Sequence, residues 1–409
     1  MKDELNILNR ENRPTVVEME DELLDILLKY FAVIEEEYIS LIIEQLKEFA
    51  GVIPTTKRRI EILVKMGANI NYIKRRIKSA LNLTNKQLER ILEAVAEDTL
   101  EEMRPPPRDH FKRVEGSGDG KEIDGIYPST TLKKLNKLAR LLAKQSNERM
   151  FNFSNTTAVN ADYRRYIDMA IIALSSGLTD INKEIEKIIE TAGKNGLRVT
   201  YESGHTRRLD SAVRMNLSDT INQMSILAEL EAAEDLGYKY IELSAHPYCA
   251  LDHEEIQGRV FSIEEFKKMQ DGEPFKNYNN KSYAAIKRPI GQWNCRHTVR
   301  AFEPGVSVRR YPDEKLQQWK KKNHEGVEIN GKHYTIYEVT QLMRQYETEM
   351  RRLEEKGIAF EKAGDLEGRK RVQRKLDDLE KSYLAIARTA NLKPKLDRTT
   401  VPGYNPVRF

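Results

Sequence analysis

Cysteine is nearly absent from this 409-residue chain, which holds only Cys249 and Cys295. That scarcity argues against a disulfide framework; in a reducing compartment such thiols serve as metal ligands, nucleophiles or plain core residues. Aromatic residues make up 8% of the chain, and no apolar run reaches the roughly 18 residues that a bilayer span requires. The opening "MKDELNILNRENRP" lacks the apolar core and small-residue cleavage site of a secretory signal, so a soluble intracellular product is expected. Charge of one sign is not in excess either. The formal net charge is +4, too small to give a global nucleic-acid-binding footprint, so any DNA contact must be local. A Walker loop and a G-x-S-x-G elbow are missing as well.

What the chain does have is charge and helical periodicity. Charged residues are 32% and apolar residues 39%, a balance typical of helix-rich soluble proteins, and the length predicts two or three units rather than one. Apolar residues recur at three and four spacing from Val16 to Phe49, predicting one or two amphipathic helices that end at Gly51. Two further helices follow, with Thr84 and Asn85 capping the second. From Leu197, "LRVTYESGHTRRLD" alternates around a Ser-Gly turn and predicts a hairpin, "YKYIELSA" predicts a half-buried strand, and the Asn-Gly pair in "VEINGKHYTIYEV" predicts a type I′ turn. Two apolar stripes follow. Leu342, Tyr346, Met350 and Leu353 face Val372, Leu376, Leu379, Tyr383 and Ile386 in a helical hairpin turning between Gly357 and Gly364.

The expected fold is α+β and mostly helical. It comprises a helical N-terminal module (1–103), a Pro/Gly-rich loop or hinge (104–128) and a helical segment (129–196). A small α+β domain with hairpins (197–335), an antiparallel helical hairpin (336–391) and an extended tail (392–409) complete it. The tail is expected to stay mobile or lie along a neighbour.

The two cysteines each have a histidine close by. Cys249 and His253 are four apart, which on a helical turn puts both on one face; Cys295 and His297 are two apart, which on a strand does the same. Together they form a Cys2His2 set suited to tetrahedral zinc, with His246 and Asp252 as spare ligands or hydrogen-bond acceptors. Three other readings stay open: a reduced cysteine pair in a core, a Cys249–Cys295 disulfide, and a Cys-His nucleophile. His253 and Glu255 also match the H-x-E half of a zinc deaminase, but the partner P-C-x-x-C is missing. Metal-dependent nucleic-acid modification or a toxin-like activity is therefore the alternative function, with Glu255 as proton shuttle.

The ordered elements Y-x-S-G-x-x-R-R-L (Tyr201–Leu209), "VRMNLSDTINQ", Cys249, "LDHEEIQG" and P-x5-CRH (Pro289–His297) resemble the phage minor capsid protein 2 family. That family is related to the head-morphogenesis proteins of Mu-type phages. The motif-bearing resemblance covers Leu197 to Phe302 and casts 197–335 as a head-morphogenesis-like domain. It implies a non-enzymatic virion component, assembled in the host cytoplasm and located in the head interior or at the portal vertex. Portal and other capsid proteins, packaged DNA and further copies of the chain are the implied partners. Arg207, Arg208, Arg214, Arg296 and Arg300 lie near the motif elements and are candidates to touch a partner or DNA phosphates; arginines of this kind also commonly pair with local carboxylates.

Overall fold

Helical periodicity dominates the computed structural model, which describes residues 16–49, 56–102, 129–156, 163, 165–167, 181–195, 197–201, 205–401 and 403–407. The expected hinge at 104–128 and the turn of the first hairpin at 202–204 lie outside these residues. The helices are α1 (Val16–Phe49), α2 (Thr56–Glu102), α3 (Ser129–Thr156), α4 (Ile181–Asn195) and α5 (Leu209–Asp235), then α6 (Ile263–Gln270), α7 (Asp313–Glu325), α8 (Ile336–Ala363) and α9 (Leu366–Thr389). Short strands stand between them: β1 (Arg198–Thr200), β2 (Thr206–Arg208), β3 (Tyr240–Leu243), β4 (Val260–Ser262), β5 (Phe275–Lys276), β6 (Ser282–Tyr283), β7 (Val299–Phe302), β8 (Val327–Ile329) and β9 (Lys332–Tyr334). The chain is thus α+β and mostly helical. No helix among the described residues is long and apolar enough to cross a membrane.

One expected boundary is absent. α2 runs unbroken through Thr84 and Asn85. Ile73, Ile77, Leu81, Leu88, Leu92 and Val95 bury a continuous stripe along it, and burial of that stripe outweighs the local capping preference of Asn85.

The chain divides into two compact units, each assembled from three segments. The first takes Met1–Asp25, Thr84–Asn147 and Arg214–Lys320; the second takes Ile26–Leu83, Glu148–Val213 and Lys321–Phe409. In the first unit β3 is the centre of an antiparallel sheet ordered β4-β3-β7, with Leu243 opposite Val299 and Glu242 opposite both Val260 and Arg300. Ile241, Glu242 and Leu243 are all buried, so the strand is covered on both faces rather than half-buried as its alternation suggests. The buried Glu242 carboxylate accepts the backbone N–H groups of Arg310 (3.0 Å) and Tyr311 (3.4 Å), which satisfies a charge that would otherwise be costly there.

In the second unit β1 and β2 pair as a hairpin, and β8 and β9 flank Asn330 and Gly331, both at positive φ (53° and 74°) as a type I′ turn requires. α8 starts on a capping box of Thr335 and Glu338 and ends at Gly364 in the left-handed region, where Asp365 opens α9 by accepting from Gly368 N–H at 2.8 Å. The buried face of α8 is Met343, Glu347, Met350 and Leu353, one residue on from the expected stripe at its start. On this face the buried Tyr383 hydroxyl donates to Glu347 at 2.9 Å. The tail folds back on this helical pair: Tyr404 packs its ring over Gly357, where a Cβ would stand 2.4 Å from Cε2, and donates to Gln373 at 2.7 Å.

A buried ion cluster organises the interior of the second unit. Arg208 Nη2 reaches Glu35 (2.6 Å) and Glu355 (2.7 Å), its Nε reaches Asp210 (3.2 Å), and Arg351 approaches Asp210 at 3.6 Å. Glu35 also accepts Leu197 N–H at 2.9 Å, tying α1 to the start of β1. Burial opposes the Arg208 charge, but Glu35, Glu355 and Asp210 outweigh it and raise its pKa. Burial also opposes the Asp210 charge; Arg208 and Arg351 overcome it and hold the carboxyl at about 2. Glu355 goes the other way, pushed well above the carboxylate range by burial and by its acidic neighbours.

Arg208→Ala strands these carboxylates and is expected to cost about 3–5 kcal/mol in chemical denaturation. Arg208→Lys restores charge but not the fork, and should recover only part of it. A second prediction concerns Glu354, whose carboxyl accepts Val401 N–H from the tail and is pushed up to about 7 by burial. A folded-state pKa raised above the unfolded value contributes stability below about 4.5 that is lost as pH rises through about 7. Glu354→Gln should therefore match the unaltered chain in melting temperature at pH 5 and exceed it at pH 8.

Candidate metal centre

The sheet of the first unit brings the two cysteine-histidine segments to one end. Residues 244–259 connect β3 to β4, and residues 295–298 lead directly into β7; Ser244 N–H donates to Thr298 O at 2.8 Å where the two meet. The 246–258 stretch forms successive turns, with Tyr248 at φ 61° and Gly258 at φ 66°. A Cβ on Gly258 would stand 2.9 Å from both Leu316 and Tyr311, so this close approach requires glycine. Residues 295–298 lie just before β7, and a two-residue alternation buries Cys295 and His297 while exposing Arg296.

Polar residues of α5 shape the second segment. Trp293 and Asn294 both hold positive φ, 53° and 63°, a costly conformation for a bulky side chain. The Asp219 carboxylate offsets it by accepting both backbone N–H groups, at 2.7 and 2.9 Å. One turn along α5, Asn222 Nδ2 donates to the carbonyls of Cys295 (2.9 Å) and His297 (3.1 Å). Asp219 and Asn222 were not singled out as site residues from sequence. The signal was present: both lie in "VRMNLSDTINQ", three apart and so on one helix face.

His253, Cys295 and His297 come together, their ligand atoms all within 4.8 Å of one another. Cys295 Sγ lies 3.5 Å from His253 Nδ1 and 3.4 Å from His297 Nδ1. The far nitrogens are also engaged: His253 Nε2 meets the Arg288 carbonyl at 2.8 Å, and His297 Nε2 meets Gln257 Oε1 at 3.4 Å. Cys249 is buried nearby but does not join that group among the described residues, because its four-residue spacing to His253 falls on turns rather than on a helix. The His246 ring centroid is 4.6 Å from that of His297, and Asp252 pairs with Arg288 at 2.6 Å. Both cysteines are free thiols.

Burial sets the electrostatics. It lowers the pKa values of His246 and His253, and with the neighbouring histidines it takes His297 well below the usual imidazole range. The same burial raises the Cys295 thiol and, with Glu254 and Asp252 adding to it, pushes Cys249 up to about 12. The isolated cluster holds neutral rings and neutral thiols, a donor set for a soft or borderline cation.

The arginines marked in the sequence have different settings. Arg296 and Arg300 are exposed, Arg207 and Arg214 are half-buried, and Arg208 is only 4% exposed. With its guanidinium inside the ion cluster, Arg208 has no surface to offer a partner.

A comparison with protein-family models matches the family described as phage minor capsid protein 2 over residues 19–384. The match extends well beyond the motif-bearing stretch and takes in the helices on both sides. No curated protein and no solved structure matches.

Asp219→Ala removes the acceptor for two strained N–H groups and is expected to lower stability by roughly 1–3 kcal/mol. Asp219→Asn, which keeps one acceptor oxygen, should lose less; denaturant titration of the full chain measures both.

Proposed function

The chain belongs to the phage minor capsid protein 2 family, and from that premise we propose that this virion structural protein resides in the head interior or at the portal vertex, aiding assembly, DNA packaging or ejection. The family match over residues 19–384 carries the reading. Charge supports protein contacts over general DNA binding: a net +4 on 409 residues gives no global basic footprint, so portal and capsid proteins, or further copies of the chain, are the main partners. Arg296 and Arg300, both exposed, remain the local candidates for packaged DNA or a partner carboxylate.

The alternative enzyme needs Glu255 to move protons beside a metal at His253. Glu255 instead stands exposed and ion-paired with Lys320, which holds its carboxyl below the usual range. A general acid or base near neutral pH needs the opposite shift.

Chemical cross-linking and mass spectrometry of purified virions test the proposal. The expected result is the chain in the particle, linked to the portal or to inner-head proteins. Absence from purified particles, or links confined to tail proteins, would overturn it.

A further inference from the structure

Hydrogen-bond accounting around Cys295 leaves a deficit that the protein alone does not resolve. The Arg288 carbonyl can only accept, so His253 Nε2 must carry the proton that bonds to it, and the Nδ1 lone pair faces Cys295 Sγ. The same holds for His297. Gln257 presents oxygen, not nitrogen, because that atom also accepts the His246 backbone N–H at 3.1 Å. His297 Nε2 therefore donates to it, and His297 Nδ1 also turns a lone pair toward Sγ. One thiol proton cannot serve two such acceptors. Protonating a ring instead would place a cation among side chains that are 1%, 2% and 4% exposed, and the Asp252 carboxylate, 3.8 Å from His253 Nε2, is already paired with Arg288 at 2.6 Å. A bound cation satisfies all three ligand atoms at once, while the two outward N–H bonds orient the rings as metal-bound histidines are usually oriented.

The geometry points to a structural zinc site held by His253 Nδ1, Cys295 Sγ and His297 Nδ1, to which the neighbouring buried thiol of Cys249, outside that group of three, is added as the fourth, tetrahedral ligand. Cys249 is chosen as the fourth ligand on grounds of charge. Two thiolates cancel the charge of the ion and leave a buried centre with no net charge, whereas one thiolate with three imidazoles would leave a buried cation. Binding releases the Cys249 and Cys295 thiol protons to solvent; both histidines stay neutral and nothing is oxidised. His246, half-buried with Nδ1 directed at the Pro247 carbonyl at 3.2 Å, packs against the centre without entering it. The site would staple the β3–β4 connection to the entry of β7, a role independent of where the protein sits in the virion.

The test is elemental analysis of the full chain, expressed with zinc in the medium and purified without metal-affinity resin or chelator. The expected content is about one zinc per chain. Cys295→Ser, His297→Ala and Cys249→Ser should each lose most of it, whereas His246→Ala should retain it. Should the variants fail to fold, cobalt substitution of the unaltered chain gives a second readout: strong visible absorption from tetrahedral thiolate coordination, with a sulfur charge-transfer band. Zinc far below one equivalent together with no such cobalt spectrum would overturn the site. Full zinc in Cys249→Ser with loss in His246→Ala would overturn the fourth ligand.

Discussion

In the first unit, the antiparallel pairing of β3 with β7 is the constraint from which the candidate site follows. With Leu243 opposite Val299, the segment leaving β3 and the segment entering β7 must emerge at the same end of the sheet. β4, returning opposite Glu242, closes the connection that carries His253 and Gln257. A sequence separation of 42 positions between His253 and Cys295 becomes a contact of 3.5 Å through this register. A one-residue slip would turn the alternation over and send Cys295 and His297 to the exposed face now held by Arg296.

The second unit depends on a different balance, in which buried charge is tolerated because it is nearly complete in its pairing. Arg208 sits inside three carboxyl groups, and removing a partner from such a cluster is costly, since each desolvated group is stabilised only by its neighbours. The cluster draws on α1, the end of β2, the start of α5 and α8, so it reports whether those elements have come together. Glu354 is less fully compensated and ties the tail to α8 through a carboxyl that titrates near neutral pH.

Three of the stretches that carry the family resemblance meet at the candidate centre. "VRMNLSDTINQ" supplies Asp219 and Asn222, which hold the backbone of the P-x5-CRH element, and "LDHEEIQG" supplies His253, Gln257 and the constrained Gly258. Those elements are linked by direct hydrogen bonds. Glu255, the expected proton shuttle of the enzyme reading, faces Lys320 instead, as does its neighbour Glu254.

Much was legible in the sequence because it rests on local physics. Three- and four-residue spacing marked the helices, the Asn-Gly pair marked its hairpin turn, and the paired Cys and His spacings marked both halves of the candidate centre. What local pattern could not carry was long-range burial. It made α2 continuous across Asn85, covered β3 on both faces, and laid the tail along its own helical hairpin. Arg208 shows the limit most clearly: an arginine next to Arg207 in a polar hairpin looks like surface charge, and only the arrival of Glu35 and Glu355 from distant helices makes it an interior residue. Spacing likewise paired Cys249 with His253 as if on a helix. Tertiary structure placed that segment on turns, grouped His253 with Cys295 and His297, and fixed which nitrogen of each ring faces the sulfur, because only folding brings the Arg288 carbonyl and Gln257 to the other side.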